Sequence, residues 1–321
     1  MQTPIDAPGA MPQISAIATQ AGRDKSWMLP EAKSEALLYA SNQGDASSEY
    51  GDVLVFAYPQ GKLVGTLTGF STFVQSLCSD SSGNVFITAG TTSLSQGYVF
   101  EYSHGGTQPV VTLSDPGSPN GCSVDATTGN LAVANVNSTG YYKYYGDVAI
   151  FPGAQGTATT YYDSGIINPF YCSYDSDGNL FIDGYSGPSN MLGELPAGGT
   201  TFADITLDKY IAPESLQWSD NALIAAGGGG SSNGEEQIYQ VAISGSTGTV
   251  SGPSLLWGRG DRRPGPVQFW VEGNAIVGPD HTRGGTGLIN LWRYPRGGKP
   301  IKTLRARGAT GFYGVTVSVA K

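Results

Sequence analysis

The feature that most constrains this chain is an internal repeat. A hairpin reading DSSGN at 80–84 returns as DATTGN at 125–130, DSDGN at 175–179, SDN at 219–221 and VEGN at 271–274. The asparagines that end these turns are Asn84, Asn130, Asn179, Asn221 and Asn274, spaced by 46, 49, 42 and 53 residues. Residues 35–321 hold about six such periods. A period in the forties that contains four strands is the signature of a β-propeller blade.

Every unit reads in the same order. A short strand such as SLCSD, GCSVD or FYCSYD leads into the Gly-Asn turn, where glycine supplies the positive φ that the turn needs. An apolar strand follows, as in NVFITAG, NLAVAN and NLFIDG. A loop of variable length leads to a third strand, a second glycine turn and a fourth strand. Val, Ile, Phe, Tyr and Thr dominate the strands, as half-buried pleated surfaces favour. The first unit lacks its innermost strand, and one is left over at the end of the chain. The expectation is therefore an all-β, six-bladed propeller with four antiparallel strands per blade. Its ring closes by pairing strand 36–42 with strand 311–320, which removes free sheet edges.

The combination of a VF-type strand, a glycine turn, a TL-type strand, Cys-Ser-x-Asp and Gly-Asn-Leu-Phe-Ile resembles NHL-repeat and related six-bladed propellers. It is also similar to secreted bacterial propeller proteins and lipoproteins. The resemblance covers about residues 35–321 and implies the fold. The wider fold group holds gluconolactonase-like lactonases, streptogramin lyases and pure binding modules, so it does not select a chemistry.

Composition narrows the classes further. The net charge is −9, from 17 basic and 26 acidic residues, which disfavours nucleic acid as the main partner. No run of 18 apolar residues is present, so no transmembrane helix is expected. Residues 1–34 are small, polar and proline-bearing and read as a tail or linker, with Trp27, Met28 and Leu29 as a docking point. The remainder, 35–321, reads as one domain. Such a start looks like an exported protein, secreted, periplasmic or at the cell surface, whose signal has been removed. Three cysteines, Cys78, Cys122 and Cys172, stand at corresponding places in successive units. The odd count leaves at least one thiol free in a monomer, and the apolar neighbours point to buried structural thiols.

The long, irregular connections join second to third strands and fourth strands to the next unit. Both classes emerge on one face of a propeller, so any ligand site belongs there, at the mouth of the channel. Asn42, Asn135, Asp183 and Asp280 stand near the ends of second strands. In lactonase-like propellers a metal is held at this place, which makes Asn42, Asp183 and Asp280 candidates for Ca²⁺. Their offsets from the hairpin asparagines differ, and capping of the loops is the competing role. Glu214 and His281 are the candidate acid–base residues; His104 falls in a short turn on the other face. The G-x-S-x-G match at 230–234 sits in a Gly/Ser loop with no strand-to-helix elbow, and Arg259-Gly260-Asp261 is a chance-level match.

Aromatic residues crowd the same face: Tyr141, Tyr142, Tyr144 and Tyr145 in one loop, Phe70 and Phe73 in another, and Phe170 and Tyr171 in a third. Exposed tyrosines offer rigid amphipathic contact area. Residues 259–321 carry 11 basic and 3 acidic residues, against 6 and 23 in residues 1–258. Arg259, Arg262 and Arg263 would attract an acidic partner. The leading expectation is a non-catalytic binding module that takes a glycan or protein through Tyr141–Tyr145 and these arginines. A metal-dependent lactonase-like hydrolase and a subunit that associates head to tail are the alternatives.

Overall fold

The computed structural model describes residues 25–42, 51–90, 97–138, 145–185, 191–227, 235–257, 268–280, 287–306, 309 and 311–321. Among them the regular structure is β-strand, apart from two short 3-10 turns at Pro30–Lys33 and Pro152–Ala154.

The strands form antiparallel meanders in chain order. One sheet holds Phe73–Ser79, Val85–Gly90, Gly97–Tyr102 and Val111–Asp115. A second runs from Gly117–Val124 to Thr159–Tyr161, and a third from Trp270–Glu272 to Lys302–Arg305. Another sheet has eight strands, because two meanders share an edge. In it Ala203–Leu207 runs parallel to Thr247–Trp257, with Thr206 opposite Thr247 and Leu207 opposite Gly248. The repeat predicts separate four-stranded sheets here. The reason for the merger is local: a Cβ on Gly248 would meet Leu207 Cδ2 at 2.6 Å, so glycine lets the two outer strands touch.

The fifth sheet closes the ring. Phe312–Ser318 pairs antiparallel with Leu37–Asn42, placing Leu37 opposite Ser318 and Ala40 opposite Val315. Asp52–Ala57 and Leu63–Leu67 continue outward, and Trp27–Met28 adds a fifth strand at the rim. The expected docking point is thus an outer strand. Gly65 makes room for it, since a Cβ there would meet the Trp27 carbonyl oxygen at 2.9 Å.

Hydrophobic clusters lie between neighbouring sheets, because alternate residues of each strand face opposite neighbours. Tyr39, Val55 and Val64 pack against Val74, Leu77 and Ile87 on one side of the closing sheet. On its other side Leu38, Phe56 and Val315 pack against Val277, Ile289 and Leu304. The repeated turn has a shared mechanism. Asp80 Oδ1 accepts the N–H groups of Ser82 and Asn84, each at 2.8 Å, while Asn84 Nδ2 donates to Asp80 Oδ2. Asp175 does the same for Asp177 and Asn179. The serine that follows each cysteine ties one innermost strand to another. Ser123 Oγ accepts from the Tyr174 amide at 3.0 Å, Ser173 Oγ accepts from the Trp218 amide at 2.7 Å, and Ser79 Oγ donates to the Val317 carbonyl at 2.8 Å.

The cysteines correct the sequence reading. Cys78 and Cys122 form a disulfide, with Cα atoms 5.7 Å apart, and Cys172 is free and buried. The three positions are not equivalent. Cys122 and Cys172 stand three residues before the hairpin aspartates Asp125 and Asp175, but Cys78 stands two before Asp80. One residue flips a strand side chain to the other face. Cys78 therefore faces Cys122 in a cluster with Phe86 and Val133, while Cys172 faces Ala132 and Ala134. Burial pushes the Cys172 thiol well up.

Two expectations follow from this packing. Phe312, Val315 and Val317 are buried, each worth about 1.5–3 kcal/mol, against a typical domain stability of about 5–15 kcal/mol. Deleting 311–321 should abolish cooperative thermal unfolding; a deletion variant melting near the parent would refute the closure. Ser123 holds the position that corresponds to Cys78, so Ser123→Cys should form a disulfide with Cys172. Peptide mapping under non-reducing conditions checks this, and two persistent free thiols would count against the register argument.

Candidate functional site

The innermost strands share an irregularity near their starts. Register shifts fall between Val74 and Leu77, between Pro169 and Tyr171, and between Pro213 and Ser215. Equivalent shifts separate Pro119 from Cys122 and Phe312 from Val315. These β-bulges place Gln75, Asn120, Phe170, Glu214 and Tyr313 at one level of the channel, at its long-loop end. Bulges re-aim side chains in this way beside binding sites. At the corresponding level of the remaining unit, Gln268 precedes the strand Trp270–Glu272. Its Oε1 accepts from the Leu77 amide at 3.0 Å, and its Nε2 donates to the Leu77 carbonyl. Gly314 permits this crossing, because a Cβ there would meet Gln268 Oε1 at 2.6 Å.

Second-strand side chains hold the bulges. Ser41 Oγ accepts from the Gly314 amide at 2.8 Å and donates to the Gln75 carbonyl at 2.5 Å. Thr88 Oγ1 accepts from the Ser76 amide at 3.0 Å and donates to the Asn120 carbonyl at 2.6 Å. Asp183 fills the same role with a carboxylate, accepting from the Tyr171 amide at 3.0 Å. Asn120 Nδ2 donates to the Phe170 carbonyl at 2.8 Å, linking two bulges directly.

Glu214 and Asp183 interact at this level, and both are buried. Burial pushes the Glu214 carboxyl up to about 8, with the Asp183 charge adding to it. Burial also raises Asp183, to about 7, against the opposing pull of backbone hydrogen bonds. Glu214 Oε2 is buried and has no hydrogen-bond partner among the described residues. Tyr171 Oη has no hydrogen bond of ordinary geometry, although Asn120 and Tyr313 are polar neighbours. A third acid, Asp115, is raised to about 7 by burial; one of its oxygens accepts from the Gly117 amide at 2.8 Å.

The other sequence candidates separate into groups. Asp280 Oδ2 accepts from Asn290 Nδ2 at 2.8 Å, and Asn42 Nδ2 donates to Asp52 Oδ1 at 2.8 Å. Asn135 makes the matching bond to Asp147 at 2.8 Å. These amide–carboxylate pairs join second to third strands where the long loops begin. Among the described residues no three His, Cys, Asp or Glu side chains converge as a metal-holding group. His104 is structural: Nδ1 lies 2.7 Å from Ser318 Oγ and Nε2 lies 2.9 Å from the Glu35 carbonyl. Phe70 is a core residue, edge-on to Phe100 at 5.4 Å, and Tyr171 is buried, so neither adds to a surface. Tyr145 is exposed, as are Tyr185 and Tyr210, which the sequence does not single out. Tyr141, Tyr142, Tyr144, Arg259, Arg262, Arg263 and His281 lie outside the described residues, as does the 230–234 motif.

The raised carboxyls set a pH dependence. Each binds its proton more tightly in the folded than in the unfolded chain. Their contribution is full below the unfolded values near 4 and is lost as pH rises through the folded values of about 7 to 8. Melting temperature should therefore fall between pH 5.5 and 9. The fall should be equivalent to a few kcal/mol, since a tenfold difference in proton affinity is worth about 1.4 kcal/mol. Glu214→Gln and Asp183→Asn should each flatten that fall. Parallel curves for the parent and both variants would show that neither acid is responsible.

No family model matches the chain, and no curated protein is similar to it in sequence. Among solved structures, a chain from a crystal structure of a nidogen/laminin complex is similar over 89% of this chain and 99% of that one. The TM-score is 0.62 and the identity 16%. Identity at that level carries the fold alone. With the closed succession of radial sheets, it makes this chain a β-propeller.

Proposed function

We propose that this chain is an exported, six-bladed binding propeller, the eight-stranded sheet counting as two blades. It takes a glycan or protein on its long-loop face and does no chemistry there. One observation carries the reading. Among the described residues the exposed large aromatic side chains are Tyr145, Tyr185 and Tyr210, and all three belong to that face. Tyr145 and Tyr185 stand on adjoining sheets, because Gly146 N–H donates to the Ile167 carbonyl and Ile167 N–H donates to the Tyr185 carbonyl. Exposed Val110 and Ile301, by contrast, sit in turns of the other face. Solvent-exposed tyrosine costs solubility without adding to the core, so its presence on one face fits contact with a partner.

Two further facts agree with this. The Cys78–Cys122 disulfide fits an oxidising compartment outside the cytosol. The solved structure similar in fold comes from a complex of two proteins. Among the described residues no helix is long and apolar enough to cross a membrane. The lactonase-like alternative draws on the meeting of Asp183 and Glu214, and it requires a metal such as Ca²⁺ retained on purification.

Replacing Tyr185 and Tyr210 with Ala should abolish binding to the glycan or protein found by array and pull-down. Stability should change by no more than about 0.5 kcal/mol per site, as for exposed truncations. Unaltered binding in the double variant would refute the tyrosine face. Bound metal by elemental analysis, with hydrolysis lost on chelation, would favour the hydrolase instead.

A further inference from the structure

We infer that the bulge level at the channel mouth is a binding site for an organic ammonium group, with Glu214 as its counter-ion. The inference rests on the binding reading only in using the same face. Its starting point is an oxygen with nothing to hold. Glu214 is 8% exposed, and its Oε2 has no hydrogen-bond partner among the described residues. A buried carboxyl oxygen left without a partner is costly. The Tyr171 hydroxyl, which also feels the Asp183 charge, is likewise buried without a well-formed bond.

The surroundings define the ligand's chemistry. Of the described ionisable groups, Asp183 acts on Glu214; Tyr171 and Tyr313 lie beyond it, and no described cation acts on either carboxyl. Phe170 and Tyr313, both half-buried, occupy the bulges of other innermost strands at this level. A carboxylate that shares a channel mouth with aromatic side chains of neighbouring innermost strands suits an ammonium head, which gains from both charge and ring quadrupole. Neutral sugars would leave the paired acids unneutralised. The chain's net charge of −9 also draws cations toward it.

The occupant would replace a proton. At low pH Glu214 is neutral and needs no counter-charge. As pH rises, the ionised carboxyl is stabilised by whichever cation can reach it, so ammonium binding and proton release are linked. The shared chemistry is an alkylammonium head, whether carried by a small amine or by a lysine side chain of a partner protein.

The test uses the whole chain and defined probes. Methylammonium chloride and Nα-acetyl-lysinamide are titrated by calorimetry and thermal shift at pH 6.5 and 8.5, with sodium chloride at matched ionic strength and calcium chloride as controls. Binding should be about tenfold tighter at pH 8.5, with proton uptake by the buffer, and should vanish in Glu214→Gln. That variant mimics the neutral form already present at low pH, and its melting curve at pH 6.5 shows whether it folds. Methylammonium binding without the lysine derivative identifies a small-amine site; binding of both identifies a site that also admits lysine. Equal binding in Glu214→Gln, no pH dependence, no response beyond sodium chloride, or a response to calcium alone would each overturn the inference. The tyrosine-face reading is untouched by any of these results, because its own test needs no amine.

Discussion

Everything in this molecule depends on one antiparallel pairing, that of Phe312–Ser318 with Leu37–Asn42. Each sheet buries both faces against its neighbours, so no sheet has a complete core until the circle is complete. The closing sheet shows the dependence most plainly. Tyr39 faces the second unit and Leu38 faces the last, and the cluster around Leu38 joins residues from both ends of the chain. The side-chain ties between innermost strands reinforce the same geometry. Ser79 reaches the carbonyl of Val317, so the terminal strand is bonded on both sides.

Much of this was legible in the sequence, and the reasons are physical. The hairpin aspartate and asparagine are needed to satisfy specific amides, so they recur along the chain and announce the period. Closure was legible because a meander with a missing first strand and a spare last one has a single ring solution. The shared edge between Ala203–Leu207 and Thr247–Trp257 was not, because a parallel contact depends on how closely two outer strands approach in space at Gly248. The disulfide was present in the sequence as an offset of one residue, Cys78 at two and Cys122 at three before the turn. Motif likeness concealed it where strand alternation would have revealed it.

The site was less legible. Asp183 and Glu214 stood out as acids near strand ends, and they do meet. What the sequence lacks is any mark of a β-bulge: one extra residue between Pro169 and Tyr171 or between Pro213 and Ser215 looks like ordinary strand. Without the bulges, Gln75, Asn120, Gln268 and Tyr313 have no reason to be considered together. The other candidates, Asn42 and Asp280, proved to be halves of amide–carboxylate pairs at the roots of loops. Their partners Asp52 and Asn290 lie ten residues away along the chain, which is the distance that a variable loop obscures.

The closing pair has a further consequence, for the order of events as the chain is made. Leu37 and Ser318 are opposite each other in the sheet yet separated by almost the whole sequence. Contacts of such high order are slow to form, because loop entropy is lost before they stabilise anything. A chain that appears amino end first holds the inner edge of Leu37–Asn42 unpaired until Phe312–Ser318 arrives. An unpaired apolar edge is a template for other strands. The arrival of Phe312–Ser318 is therefore what ends this period of vulnerability to aggregation.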